Sequence, residues 1–120
     1  MMSYYLAIDM GASSGRHILG SIEDGKIKLE EIYRFENGIS KIGDEYCWDI
    51  QGLFNEIKKG IKKCKEIGKV PKTIGIDTWA VDFVLLDEND EMLGNAVAYR
   101  DDRTEGYMEK AFQVIPQDML

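Results

Sequence analysis

A chain of 120 residues, 44% of them apolar, can bury one ordinary core, so it holds one domain or one lobe and excludes a second complete domain. Charged residues make up 31% and are interspersed, which excludes the sparse-core, high-charge profile of a disordered chain. Acidic residues exceed basic ones by 22 to 15, and the formal charge of −7 repels nucleic acid overall, although backbone amides and a metal ion can still hold a nucleotide locally.

In chain order, the short apolar run from Tyr4 to Asp9 predicts a strand buried on both faces. His17 to Ile22 predicts a second strand, Glu23-Asp24-Gly25-Lys26 a turn, and the alternation through Ile27 and Leu29 a third, together an antiparallel meander. Asn37 to Glu45, with Gly38 and Gly43, reads as a loop, and Tyr46-Cys47-Trp48 as a brief pairing segment. Asp49 offers a helix N-cap. Ile50, Leu53, Phe54, Ile57, Ile61, Cys64 and Ile67 then fall at helical spacing, with Gly68 placed to end the helix. Lys58, Lys59, Lys62, Lys63 and Lys65 occupy the other side and read as a solvated face. Thr73 to Asp77 predicts a strand, Val81 to Leu86 another, and Ala96 to Tyr99 one more. From Thr104 a helical pattern runs to Pro116, and the residues to Leu120 close nothing. The order predicts an α/β fold, a mixed β-sheet flanked by helices, of the ribonuclease-H-like type on which actin-like ATPases are built.

Cys47 and Cys64 lack the spacing of a redox or zinc motif and read as reduced, structural thiols. No apolar run approaches bilayer length, and Met1-Met2-Ser3-Tyr4-Tyr5 lacks a basic region followed by an apolar stretch, so a cytoplasmic protein without membrane partners is expected.

The strongest local signal is Asp9-Met10-Gly11-Ala12-Ser13-Ser14-Gly15-Arg16 between two strands. Gly11 and Gly15 would let a phosphate approach the backbone, Ser13 and Ser14 and the neighbouring amides can donate to its oxygens, and Arg16 adds a charge-assisted contact. Asp9, at a strand end, is placed to hold Mg²⁺, which takes carboxylate, water and phosphate oxygens. The pattern is neither GxxxxGK[ST] nor GxGxxG, and an ordinary hairpin turn is its plain alternative. His17 is either a general base or, as preferred here, a strand residue.

A second cluster combines Asp77, Trp79 and Asp82 with Tyr99, Arg100, Asp101 and Arg103. Aromatic faces beside carboxylates and guanidinium groups suit a polyhydroxylated ligand, and surface ion pairs around a core tryptophan are the alternative.

The hairpin, the block Gly75-Ile76-Asp77-Thr78-Trp79-Ala80-Val81-Asp82-Phe83 and the block Ala98-Tyr99-Arg100-Asp101-x-Arg103-Thr104 together resemble the FGGY carbohydrate kinases. Arg34-Phe35-x-Asn37-Gly38 and Trp48-Asp49 share the likeness, which runs from about Tyr4 to about Thr104. The resemblance implies ATP- and Mg²⁺-dependent phosphorylation of a sugar, L-rhamnulose, at its primary hydroxyl. It places Ala12 to Arg16 on the ATP phosphates and the Trp79-Ala80 region in the sugar site, beside Asp82, Tyr99 and Arg100. Ala80 stands where the family tends to have glycine, so its methyl group is expected to narrow the sugar pocket and leaves fuculose and xylulose as alternative substrates. The family's catalytic aspartate and adenosine-binding glycines are expected beyond Leu120, so this chain reads as an N-terminal lobe with no catalytic residue of its own. Two rivals from other classes are a chaperone-like ATPase and a non-catalytic sugar-responsive regulator. The latter needs an appended module such as a helix-turn-helix, and none precedes Tyr4.

Overall fold

The computed structural model describes residues 2–119, so the expectations that touch Met1 and Leu120 lie outside the described residues. The meander forms as predicted, with β1 (Tyr4–Met10), β2 (Ser14–Glu23) and β3 (Lys26–Glu36). Asp24 and Gly25, at φ 52° and 74°, supply the two left-handed residues that match a tight turn to the strand twist. Next come β4 (Ile39–Ile42), β5 (Glu45–Trp48), α1 (Ile50–Glu66) and β6 (Pro71–Asp77). β7 (Ala96–Val97) and α2 (Tyr107–Val114) follow, and a 3₁₀ turn covers Gln117–Met119.

The main sheet runs β3-β2-β1-β6, antiparallel except for the parallel β1–β6 pair. A parallel pair needs a long crossover, and here it contains α1. The Asp49 carboxylate accepts from the Gly52 amide at 2.9 Å to start that helix. Gly68, at φ 72°, ends it, while Lys63 and Lys65 sit in the last turn where the helix dipole favours cations.

Register decides what α1 covers. Leu6 faces Leu19 and Ile8 faces His17 across β1 and β2, so these side chains share one face, and α1 lays Cys64 over them. Leu6, Ile8, Leu19 and Cys64 are all but fully buried. The helix comes closest at Gly60, where a Cβ would lie 2.1 Å from the His17 ring. His17 is sealed between them with Nε2 at 3.2 Å from the Ile57 carbonyl and its ring edge-on to Tyr33 at 5.4 Å. It is a core strand residue and has no access to a cleft, which removes the general-base alternative. The Tyr33 hydroxyl donates to Glu56 and so ties β3 to α1. That bond pushes the Tyr33 phenol up to about 12 and holds the Glu56 carboxyl below its ordinary value.

The expectation that β1 is buried on both faces is corrected: Tyr5 and Ala7, on the face away from α1, are exposed. Among the described residues no element covers that face. The segment Asn37 to Glu45 is likewise not a plain loop but holds β4, a turn at Gly43 and the start of β5. Its short pattern carries little local signal, and the pairing is completed by β7 in a second antiparallel sheet, β4-β5-β7. The strand expected over Ala96 to Tyr99 shortens to two residues because the Asp101 amide bonds back to the Ala98 carbonyl in a turn. The strand expected over Val81 to Leu86 does not form. Val81 sits at φ 70°, and an isolated bridge between Leu86 and Met92 is the pairing left there. The last helix starts at Tyr107 rather than Thr104 and buries none of its residues.

Cys47 and Cys64 are free and buried, as expected, and burial pushes both thiols up. Among the described residues no helix is long and apolar enough to cross a membrane. The radius of gyration, 19.4 Å, exceeds the roughly 14 Å of a compact domain of this length, and apolar side chains such as Ile76 and Phe83 are more than half exposed.

Burial lowers the His17 pKa from its ordinary value, so the folded chain takes up a proton here less readily than the unfolded chain. As pH falls below about 6.5 the unfolded chain takes a proton that the folded chain refuses, and stability declines until pH reaches the folded pKa. Urea unfolding is therefore expected to show a lower midpoint at pH 5.5 than at pH 7.5. His17→Phe is expected to flatten that difference, and an unchanged slope in the variant would contradict it.

Candidate functional site

The turn between β1 and β2 is closed by the Gly11 amide donating to the Ser14 carbonyl at 2.9 Å. Asn37, just past β3, fastens it from the side: its Nδ2 donates to the Gly11 carbonyl and its amide to the Ser13 carbonyl, both at 2.9 Å. Ala12 rests on the Trp48–Ala96–Ala98 cluster of the second sheet, and the Ser13 side of the turn stays exposed. The two glycines serve different ends. A Cβ on Gly11 would meet the Ser14 carbonyl oxygen at 3.0 Å, whereas a Cβ on Gly15 would fall 2.0 Å from the Phe35 ring. Gly15 is buried and makes room for Phe35, so its absent side chain serves the core rather than an incoming phosphate.

Asp9 and Arg16 are register partners on the face away from α1, and Arg16 Nη2 donates to Asp9 Oδ2 at 2.8 Å with both side chains about half exposed. That hydrogen bond raises the Arg16 pKa above its ordinary value. Asp77 ends β6 directly beside Asp9. Sequence reading assigned Asp77 to the second cluster, yet the shared Ile-Asp ending of two strands was the signal for this pairing. Among the described residues no group of three or more His, Cys, Asp or Glu side chains is poised for a metal. An ion of the magnesium type needs less, since it takes one or two carboxylates and completes its shell with water and phosphate oxygens. An exposed Asp9 fits that requirement.

The second cluster centres on Asp82. Its Oδ2 accepts from Trp48 Nε1 at 2.6 Å and from Trp79 Nε1 at 2.8 Å, and the two indole rings pack together, tilted by 39°, at 4.2 Å between centroids. Trp48 was missed as a site residue because its partner lies 34 positions away. Asp82 stands between two cavities. One, of about 330 Å³, is lined by Met10, Trp48, Leu53, Phe54 and Trp79, and the other, of about 300 Å³, by Val81, Tyr99, Asp101 and Arg103. Tyr99 also approaches Trp48, at 6.4 Å between ring centroids. Arg100 folds over the Tyr99 ring at 5.4 Å with its Nε donating to the hydroxyl at 3.0 Å. Ala80 and Arg100 are exposed and line neither cavity.

Asp101 has a structural task. Its buried carboxylate accepts from the Tyr46 amide at 2.7 Å and the Arg103 amide at 2.8 Å, which holds its carboxyl below the ordinary range. It thereby locks the segment after β7 onto β5.

A mixed β3-β2-β1-β6 sheet that opens with a polar hairpin, with α1 packed on one face, has the expected ribonuclease-H-like α/β fold. The model of the N-terminal domain of the FGGY family of carbohydrate kinases matches residues 4–119. The chain belongs to the FGGY family of carbohydrate kinases. It is 55% identical over 119 residues to the rhamnulokinase of Halalkalibacterium halodurans, covering 99% of this chain and 25% of that protein. It is 51% identical over 120 residues to the rhamnulokinase of Oceanobacillus iheyensis, covering 100% of this chain and 26% of that protein. The chain thus spans about a quarter of the length of the curated relatives it matches. Its fold is similar to that of gluconate kinase from Lactobacillus acidophilus, with a TM-score of 0.76 at 16% identity over 95% of this chain and 23% of that one. Glycerol kinase from Plasmodium falciparum gives a TM-score of 0.63 at 22% identity over 95% of this chain and 23% of that one.

The glycine geometry yields an expected ranking. Gly15→Ala drives a methyl into the Phe35 ring and is expected to destabilise by about 1–3 kcal/mol, read as a lower urea midpoint. Gly11→Ala meets a single carbonyl oxygen and is expected to cost less. The reverse ranking would show that Gly15 is not held by Phe35.

Proposed function

We propose that this chain is the phosphate-facing lobe of a kinase that phosphorylates L-rhamnulose with ATP and Mg²⁺, giving L-rhamnulose 1-phosphate. The observation that carries the reading is the Asp9–Arg16 pair on the open face beside a fastened Gly-Ala-Ser-Ser-Gly turn, in a chain about half identical to two rhamnulokinases.

Phosphoryl transfer asks the protein mainly to position groups and to balance charge. Ala12 to Arg16, with Gly11, offer backbone amides, two hydroxyls and a guanidinium to the phosphates of ATP. Arg16, now paired with Asp9, would turn to a phosphate oxygen, leaving the Asp9 carboxylate to hold the metal. Mg²⁺ supplies the positive charge that offsets the phosphates as the γ-phosphoryl group moves. Asp9 orients the ion. Trp79, Ala80, Asp82, Tyr99 and Arg100 form this lobe's share of the sugar site, with aromatic faces for C–H surfaces and polar groups for hydroxyls. The base that deprotonates the primary hydroxyl is assigned to an aspartate in the part of the kinase beyond Leu120, as is the second lobe that closes over the substrates. The cytoplasm, where ATP is available, is the proposed location.

ADP release measured on the full-length protein with L-rhamnulose, L-fuculose, D-xylulose and glycerol tests the substrate. Turnover is expected to be fastest with L-rhamnulose, and preference for another sugar would move the assignment within the family. ATP hydrolysis independent of any sugar would favour a plain ATPase. Asp9→Asn in the same protein is expected to lower kcat by roughly a hundredfold or more, with the sugar KM little changed. Equal losses in kcat and in sugar binding would remove Asp9 from the metal and phosphates.

A further inference from the structure

Asp82 sends one oxygen to two tryptophans from distant parts of the chain. Trp48 ends β5, Trp79 lies just past β6, and Asp82 Oδ2 takes both indole N–H groups at 2.6 Å and 2.8 Å. Both rings line the 330 Å³ cavity, but Trp48 is 4% exposed and offers a ligand little surface, whereas Trp79, which it backs, is partly exposed. A lone buried indole N–H would cost free energy, and two N–H groups meeting on one anionic acceptor are both satisfied at once. The backbone between the partners carries the consequence. Val81 is β-branched yet sits at φ 70°, and the residue is 80% exposed, so its own packing does not hold it there. Such a conformation persists where the surroundings over-determine it, and Asp82 anchored to two rings does so one residue away.

We propose that Asp82 is a positioning residue for sugar recognition: it clamps Trp48 behind Trp79 so that the free face of Trp79 meets the apolar side of the sugar. Asp82 itself makes no sugar contact. The proposal rests on the kinase reading above for the identity of the ligand, and it departs from that reading in taking Asp82 off the sugar hydroxyls. It also makes Trp48 a determinant of specificity that acts through Trp79.

The full-length protein and four variants separate the alternatives. An asparagine carbonyl can still accept both indole N–H groups, whereas alanine cannot, so the conservative variant rescues a clamp but not a charged contact to a hydroxyl. Asp82→Asn is expected to keep the KM for L-rhamnulose within about threefold of the parent, and Asp82→Ala to raise it about tenfold or more. Asp82→Ala is expected to raise the KM for L-rhamnulose by a larger factor than it lowers kcat, with the KM for ATP within about twofold of the parent. Asp82→Ala combined with Trp79→Phe is expected to be no worse than the more damaging single change, since both break the same unit. An Asp82→Asn variant as impaired as Asp82→Ala, or multiplicative losses in the double variant, would overturn the proposal in favour of direct contact.

Indole N–H exchange gives a readout that does not depend on turnover. The Trp48 and Trp79 protons, assigned by Trp48→Phe and Trp79→Phe, are expected to exchange slowly in the parent and fast in Asp82→Ala. Fast exchange in the parent would overturn the clamp itself. Slow exchange in a protein that phosphorylates no sugar would uphold the clamp while removing the kinase reading.

Discussion

The close approach of α1 to β2 at Gly60 and His17 is the constraint from which the rest of the arrangement follows. With no side chain at Gly60, the helix axis can come near enough to seal the imidazole and to lay Cys64 over Leu6, Ile8 and Leu19. One face of the meander is thereby closed. Because strand side chains alternate, closing the face that holds Ile8 and His17 sends Asp9 and Arg16 to the other one. The carboxylate and guanidinium emerge together on the open side because a helix has claimed the opposite side.

The turn that joins β1 to β2 would be a flexible loop were it not held from outside. Asn37 fastens both its arms, Phe35 occupies the space over Gly15, and Ala12 leans on the second sheet. The second sheet is in turn held by two carboxylates. Asp101 locks the segment after β7 to β5, and Asp82 links β5 to the segment after β6. A chain with many carboxylates thus uses several of them internally as acceptors for backbone and indole N–H groups. Those bonds offset the loss of hydration that a buried carboxylate suffers.

The molecule is also open. β6 is a parallel strand at the sheet edge, and Ile74 and Ile76, in register with Leu6 and Ile8, lie on the covered face but beyond the reach of α1. A parallel strand is ordinarily buried on both faces, and its relatives are about four times as long as this chain. The radius of gyration of 19.4 Å goes together with this exposed apolar surface, which extends from β6 to Val81, Phe83 and Leu85.

Much of this was legible in the amino-acid sequence, because it rests on local signals. The meander follows from apolar runs and the Asp24-Gly25 turn, α1 from its apolar periodicity between Asp49 and Gly68, and the polar hairpin from Gly11 to Arg16. The readings that failed depend on contacts between distant residues. Val81 to Leu86 has the composition of a strand, but Asp82 is drawn to Trp48 and no partner strand meets it. Ile39 to Ile42 lacks a strong pattern and becomes a strand because β5 and β7 pair beside it. That Gly15 makes room for Phe35, 20 positions on in the paired strand, is likewise carried by no local pattern. The sequence by itself determined which segments are strands and helices where their own periodicity speaks. Only the tertiary structure decided which face is covered, which carboxylates are internal fasteners and which stand free, because those outcomes depend on register and on partners dozens of residues apart.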